Sequence, residues 1–425
     1  MLGLVCFGLA GAAPGADWLT WRADQQLVDA HIESWKLPRL LQEIAAATGW
    51  QVFVEPNVDE AVSARFKGLP QGEALRLLLG KLNFALLPQT NGAAKFFVYR
   101  TSLHDATQLI RPPARRSTGD PIPDELVVRL KDGPEANIED LARQLRGKVI
   151  GRLEDLDAYR LKFEDEAAAQ AARARLTSDE RVEATGSNYY ADRPTETGPV
   201  TLRSGLPFNL RPALGTDPRR VIVGLIDTAV QLEGVPGAEF FLPPLSVADA
   251  GTLPEDFPTH GTAMSQTLLA GLARATPDGA TPVRILPVDV YGNSPTTTTF
   301  DIARGIHLAI EAGATVINLS LGSEGHHELL HFVIRRAHER GVIFLGAAGN
   351  EPSGRPHFPA AYPEVIAVTA GDRRGHIAPY ANHGEFVDAV GPGTSLIQFN
   401  DGTYLVTGTS AATAFVAGTA AALKA

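Results

Sequence analysis

The sequence predicts a doubly wound, mainly parallel α/β sheet preceded by two small α+β domains. Short apolar runs recur after residue 220, at Val221–Ile226, Val283–Val290, Thr315–Leu319, Val342–Ala347, Val365–Val368 and Phe386–Val390. Runs of that length, apolar without alternation, suit strands covered on both faces. Amphipathic stretches at Phe300–Ala312 and His327–Arg340 lie between them and stop at Gly313 and Gly341, so strands alternate with helices. Ahead of these, two shorter α+β patterns are set off by segments 103–123 and 191–216, rich in Pro, Gly and Thr, which offer no apolar face to bury.

Composition bounds the rest. The 425 residues are 44% hydrophobic and 20% charged, the balance of a folded globular chain. A formal net charge of −10 argues against nucleic acid as a main partner. The single cysteine, Cys6, permits no internal disulfide. The run Leu2–Ala10, followed by Ala10-Gly11-Ala12, has the apolar core and small-residue site of a secretory signal peptide over residues 1–16, without the usual positive start. It is too short to span a bilayer, and no later stretch approaches that length.

Residues 20–102 form the first unit. Arg39–Thr48 has helical spacing stopped by Gly49, Val52–Val54 reads as a strand, Gly72–Leu79 as a second helix, and Phe84–Leu87 and Phe96–Tyr99 as strands. The stretches Thr48-Gly-Trp-Gln-Val-Phe-Val54 and Phe66-Lys-Gly-Leu69, with Ala74–Leu79, resemble the short N-terminal domain of secretins and TonB-dependent receptors. That resemblance implies an interaction module, an envelope protein as partner and a periplasmic or cell-envelope location. Residues 124–190 carry a second α+β pattern. Leu126–Leu130 is a strand, Asn137 caps a helix over Ile138–Leu145, Ala158–Phe163 alternates, Ala167–Leu176 is helical, and a last strand opens at Arg181 and ends at Asn188-Tyr189-Tyr190. In layout and position this resembles the propeptide of subtilisin-like peptidases.

Residues 217–425 carry the chemistry. Functional residues on a doubly wound sheet gather at the carboxyl ends of its strands. Asp227 directly follows the first strand, where it could also cap the next turn, and His260 opens a helix in Thr259-His-Gly-Thr262. Asn350 closes Leu345-Gly-Ala-Ala-Gly-Asn350, where a turn residue would also be natural. Ser410 begins a small-residue helix in Gly408-Thr-Ser-Ala-Ala412, with Thr407 or Thr409 as its expected cap. His327 and His331, one helical turn apart, read as an exposed helix face rather than a metal pair, with no acidic motif beside them.

A serine hydroxyl is a weak nucleophile that needs an adjacent base, and a carboxylate can hold that base in the right tautomer. The order Asp227, His260, Ser410 is that of the subtilisin class of triad. Four separated motifs, around Asp227, His260, Asn350 and Ser410, resemble those of subtilisin-like serine peptidases. The resemblance implies a subtilisin-like fold and catalytic roles for Asp227, His260 and Ser410, with the Asn350 amide and the Ser410 N–H as oxyanion donors. It further implies substrate-backbone binding by Ser320, Leu321 and Gly322. Ala347, Ala348 and Gly349 would border an open, apolar-tolerant pocket for the residue before the cut.

The family's usual Gly after Asp-Thr is Ala229 here, its second His is Ala263, its proline after the serine is Ala414, and its members continue with helices beyond the position of Ala425. The function expected is an exported serine endopeptidase, secreted or in the envelope, acting on protein or peptide substrates. It would need no cofactor, calcium having no specific motif, and would cut itself between Asn188 and Arg219 with Tyr189 or Tyr190 before the bond. The alternative is a catalytically weak subtilisin-fold protein of envelope binding or signalling.

Overall fold

In the computed structural model, residues 18–22, 27–56, 58, 60–87, 94–110, 120–131, 137–194, 198–199, 209–213, 221–249 and 251–425 are described. The expected signal segment, 1–16, lies outside them. Tertiary contacts divide the chain into two units, 1–116 and 117–425.

The first unit has two sheets and two helices. Strands Trp18–Arg22, Leu27–Lys36 and Ala61–Pro70 form one antiparallel sheet. The other sheet runs in the order Asn83–Leu87, Lys95–Tyr99, Gln51–Val54, Gln108–Ile110. Helix Leu37–Thr48 ends at Gly49, whose φ of 70° is the left-handed cap predicted for it. Its Leu37, Leu40, Leu41 and Ile44 are buried with Leu75 and Leu78 of helix Gln71–Leu79 and with Phe96. Strand Ala61–Pro70 is exposed at many positions and lacks a clean alternation, while Leu27–Lys36 alternates as far as Ile32 before the pattern breaks at Glu33 and Ser34.

The second unit opens with β1 (Pro121–Leu130), α1 (Ile138–Gln144), β2 (Lys148–Leu153), β3 (Ala158–Lys162), α2 (Glu166–Leu176) and β4 (Val182–Asp192). Asn137 caps α1 through Oδ1, which accepts from the N–H groups of Glu139 and Asp140. There follow β5 (Ile222–Asp227), α3 (His260–Ala275), β6 (Arg284–Asp289), β7 (Thr296–Thr298), α4 (Thr299–Glu311), β8 (Val316–Leu319) and α5 (Glu328–His338). The chain closes with β9 (Ile343–Ala347), β10 (Val365–Gly371), β11 (Ala389–Pro392), β12 (Thr394–Phe399), β13 (Gly402–Thr407) and α6 (Thr409–Lys424). A two-residue edge strand, Leu245–Ser246, leads a parallel sheet in the order edge, β6, β5, β8, β9, β10, β11. Ile222, Ile226, Ile317 and Phe344 point from it into one core with α4 and α5. Val223, Leu225, Val316 and Leu345 point the other way, into the core under α3 and α6. The alternation along each strand is what covering both faces requires.

The segment expected to be a spacer from residue 191 does more. β4 runs on to Asp192 and pairs antiparallel with β7, Tyr190 opposite Thr298 and Asp192 opposite Thr296. Gly198–Pro199 pairs with β13. One sheet, in the order β7, β4, β1, β3, β2, therefore joins the α+β domain to the α/β domain. The core is shared as well: Val127, Leu153, Leu156 and Ala191 are buried with Phe300 and Ile302. Gly151 is where the Phe300 ring comes closest, since a Cβ there would lie 2.8 Å from it.

Asn188 anchors this junction. It is fully buried, donates to Glu125 Oε2 at 2.9 Å, and accepts from the Thr299 hydroxyl and the Phe300 N–H, each at 3.1 Å. It thus satisfies one of the free N–H groups at the start of α4. Asn188→Ala takes a partner from three buried groups, and should cost about 2–4 kcal/mol. In a Ser410→Ala background that stays uncut, urea unfolding is expected to move to a lower midpoint at unchanged slope.

Candidate active site

The sheet places its first charged residue at a strand end. Asp227 is the last residue of β5 and is fully buried. Its Oδ1 lies 2.7 Å from His260 Nδ1 and accepts from the Thr228 N–H, while Oδ2 has no hydrogen-bond partner. His260 opens α3, with Thr259 as the cap whose hydroxyl accepts from the Thr262 N–H at 3.1 Å.

The surrounding motif residues explain themselves by contact. The Gly261 N–H donates to the Thr228 hydroxyl at 2.8 Å, and a Cβ on Gly261 would collide with the Thr228 carbonyl. Thr262 Oγ1 donates to Gln231 Oε1 and accepts from the Gln231 N–H. The loop after Asp227 and the start of α3 are therefore tied together on both sides of the Asp227–His260 pair. At Ala229, where glycine is usual in the resemblance, the carbonyl accepts from the Thr259 hydroxyl at 2.6 Å.

Leu319, the last residue of β8, lies level with Ile226 of β5, so Ser320 and Asp227 emerge from neighbouring strand ends. Ser320 and Ser410 exchange hydrogen bonds: Ser410 Oγ donates to the Ser320 carbonyl at 3.2 Å, and Ser320 Oγ donates to the Ser410 carbonyl at 3.1 Å. In this structure the Ser410 hydroxyl is engaged by Ser320 rather than by His260. Catalytic hydrogen bonds are commonly loose without substrate and tighten around it.

Neither Thr407 nor Thr409 caps α6. Its N-cap is Gly408, at φ 147°, and no side chain caps it. Thr409 is instead the first helical residue, and it orients Asn350. Asn350 Oδ1 accepts from the Thr409 N–H at 2.9 Å and from its hydroxyl at 3.1 Å, which leaves the Nδ2 amide free to donate. Gly349 carries φ 106°, and a Cβ on it would press on Asn382. Thr409 and Thr228 had no signal beyond their place beside a motif, and Asn382, which meets Gly349, had none.

A cavity of about 390 Å³ contains Ser410 and Asn350. Ser320, Leu321, Gly322, Ala347 and Gly349 line it. Ala348 does not; it is fully buried and its N–H donates to the Val368 carbonyl. The walls also include Glu351, Arg355 and His357, so the open, apolar-tolerant pocket expected from the small residues is instead partly polar. Among the described residues no group of three or more His, Cys, Asp or Glu is placed to hold a metal.

The thermophilic serine proteinase of Bacillus sp. (strain AK1) is 30% identical to this chain over 323 residues, covering 70% of the chain and 77% of that protein. The chain belongs to the subtilase family. The subtilase family profile matches residues 218–425 of this subtilase, and the fervidolysin N-terminal prodomain profile matches 111–188. Thermitase of Thermoactinomyces vulgaris is 29% identical over 244 residues, 55% of this subtilase and 83% of thermitase. The crystal structure of fervidolysin from Fervidobacterium pennivorans, at 20% identity, superposes with a TM-score of 0.53 over 71% of this subtilase and 54% of that chain, a likeness of fold. This subtilase is a subtilisin-like serine peptidase with a propeptide-type domain ahead of its catalytic domain.

His327 and His331 do not form an exposed helix face. His327 precedes α5, is 2% exposed, and lies under the ring of Tyr189 at 4.4 Å between centroids. Its Nε2 is 2.9 Å from Ser323 Oγ, and its Nδ1 is buried without a partner. His331 stacks on Tyr362 and bonds Glu364 at 3.0 Å. Burial first, then His326 and His357, hold the His327 pKa down to about 3. An unfolded imidazole takes up its proton near ~6.5, so the stability gained from keeping His327 neutral is whole above that pH and is lost on acidification toward 3, by about 1.4 kcal/mol per pH unit. Melting of the uncut Ser410→Ala protein is expected to fall between pH 7 and pH 5, and to fall less in a second variant that adds His327→Phe. Equal slopes in the two would mean that this group does not titrate as described.

Proposed function

We propose that this peptidase is an exported endopeptidase made as a zymogen, in which Ser410 is the nucleophile. The observation that carries the reading is the buried Asp227–His260 bond at one strand end, beside the strand end whose Ser320 holds Ser410. With substrate bound, Ser410 Oγ turns from the Ser320 carbonyl toward His260 Nε2 and attacks the scissile carbonyl. His260 takes the hydroxyl proton and returns it to the leaving amine, while Asp227 Oδ1 holds Nδ1–H and steadies the imidazolium. The oxyanion is met by Asn350 Nδ2–H, aimed by Thr409, and by the Ser410 N–H at the positive end of α6. Residues 320–322, directly after β8, pair with extended substrate, giving affinity with little demand on sequence.

Ser410→Ala is expected to lower kcat by at least about 10,000-fold with the fold kept. Asn350→Ala is expected to lower kcat by about 100- to 1,000-fold at little change in KM, the worth of one oxyanion donor as measured in subtilisin. Hydrolysis of a peptide p-nitroanilide checks both; near-normal turnover by Ser410→Ala would remove Ser410 from the mechanism.

The zymogen part rests on two pairings. Tyr190–Asp192 pairs with β7 on one side of the cleft, Asp192 to Pro194 line the cavity that holds Ser410, and Gly198–Pro199 pairs with β13, which leads into Ser410's helix. The bond to be cut therefore falls between Pro194 and Gly198. Tyr189 and Tyr190, expected from the sequence to precede the cut, are held away from it: Tyr189 packs on His327 and Tyr190 is paired with Thr298. Attachment gives the segment a high effective concentration, so cleavage in cis outpaces cleavage of dilute substrate. Wild type expressed beside Ser410→Ala should yield a new N-terminus at residues 195–198, absent from the variant. A wild type that stays uncut while hydrolysing peptides would make the α+β domain a permanent part of the enzyme.

Residues 1–16 fit a signal for export, and residues 20–102 a recognition module for an envelope protein, supported by the secretin-like pattern and by the separate folding unit they belong to.

A further inference from the structure

In the segment that leads into the cleft, the α/β domain binds a side chain as well as main chain. Arg193 follows the last paired residue of β4, and its N–H donates to the Pro295 carbonyl at 2.8 Å. Its guanidinium reaches further: Nη1 donates to the Gly292 carbonyl at 2.8 Å and to the Ser294 carbonyl at 3.4 Å. Just ahead of it, the Asp192 carbonyl accepts from the Tyr291 hydroxyl at 3.0 Å.

These groups are fixed by the α/β domain itself. Asp289 Oδ1 accepts from the N–H groups of Tyr291 and Gly292, at 2.9 and 3.0 Å, and the Ser294 N–H donates to the Tyr291 carbonyl at 3.0 Å. Gly292 takes a left-handed φ of 55°, and a Cβ on it would lie 2.6 Å from the Asp249 carbonyl. Tyr291 is 2% exposed. Burial first, then the charges of Asp227, Asp192 and Asp289, push its pKa well above the ordinary value, against the pull of Arg193. Its hydroxyl therefore stays a donor, and the carboxylates around it favour a cation.

A cradle of carbonyl oxygens suits a guanidinium, which is weakly hydrated and carries only donors. An aliphatic side chain would leave those carbonyls without that partner, and a carboxylate would face oxygen with oxygen. The charges of the Ser410 cavity agree in sign: apart from Asp192 and Arg193, its walls hold Glu324 and Glu351 against Arg355.

We propose that the carbonyls of Gly292, Ser294 and Pro295, with the Tyr291 hydroxyl, form a subsite that selects arginine in protein substrates, where Arg193 lies in this chain. The inference rests on the peptidase and self-cleavage reading above and adds a side-chain preference to it. With the bond between Pro194 and Gly198, the selected residue is the second to fifth before the cut.

The test is a set of peptide p-nitroanilides in which each of those four positions in turn carries Arg, norleucine or Glu. Active enzyme is counted by labelling Ser410 with a serine-directed phosphonate. At one of the positions wild type is expected to favour Arg over norleucine by at least about fivefold in kcat/KM, the worth of one hydrogen bond, and over Glu by more. Asn293→Lys, at an exposed residue between two of the carbonyls, sets a second cation beside the guanidinium. It should lower the Arg-to-norleucine ratio by about threefold at low salt; because the ratio is taken within one enzyme, a general loss of activity cancels. Arg no better than norleucine at all four positions overturns the inference, as does a ratio that Asn293→Lys leaves unchanged. Failure of the phosphonate to label the protein would instead overturn the peptidase reading.

Discussion

The catalytic face depends on two helices that meet backbone to backbone. A Cβ on Gly271 of α3 would collide with the Phe415 carbonyl of α6, and a Cβ on Gly418 of α6 with the Leu268 carbonyl of α3. One helix begins with His260 and the other carries Ser410 in its first turn. Their spacing is therefore set by main chain rather than by side chains that could repack. Ala411, Ala412, Ala414 and Ala417 of α6 are all fully buried as well. A methyl group added at either glycine would push the two helix starts apart, and an error of about 1 Å in such a site costs roughly 100-fold in rate.

Much of this was legible because the α/β domain obeys local rules. Apolar runs marked the strands, although β10 continues to Gly371 and β11 spans Ala389–Pro392 rather than 386–390, and Asp227 and Asn350 lie at the edge where such sheets collect function. Small residues in α6 announced a close approach without saying to what. What stayed hidden depends on partners remote in sequence. Thr409 looked like a cap, yet its hydroxyl serves Asn350. His327 looked exposed, because nothing in the residues around it foretells that Tyr189 covers it. His357 sits in a proline-flanked loop with no periodicity to place it, and only the fold brings it to the cavity.

The boundary between the α+β and α/β domains was the largest misreading, and its cause is physical. A segment rich in Pro, Thr and Gly has no face to bury, so by composition it is a spacer. A strand at a sheet edge needs no buried face either, since its main-chain groups supply the bonding. Asp192 and Gly198–Pro199 belong to that second kind. The buried polar residue next to them, Asn188, was the readable hint, because an amide seldom lies fully buried without a structural duty.

β7 is three residues long and pairs with β4 in this structure. Were β4 to leave, the main-chain groups of β7 would be an open sheet edge. Open edges attract other extended chains indiscriminately, including those of aggregating neighbours. While β4 is paired with it, the propeptide-type domain keeps that edge from other extended chains.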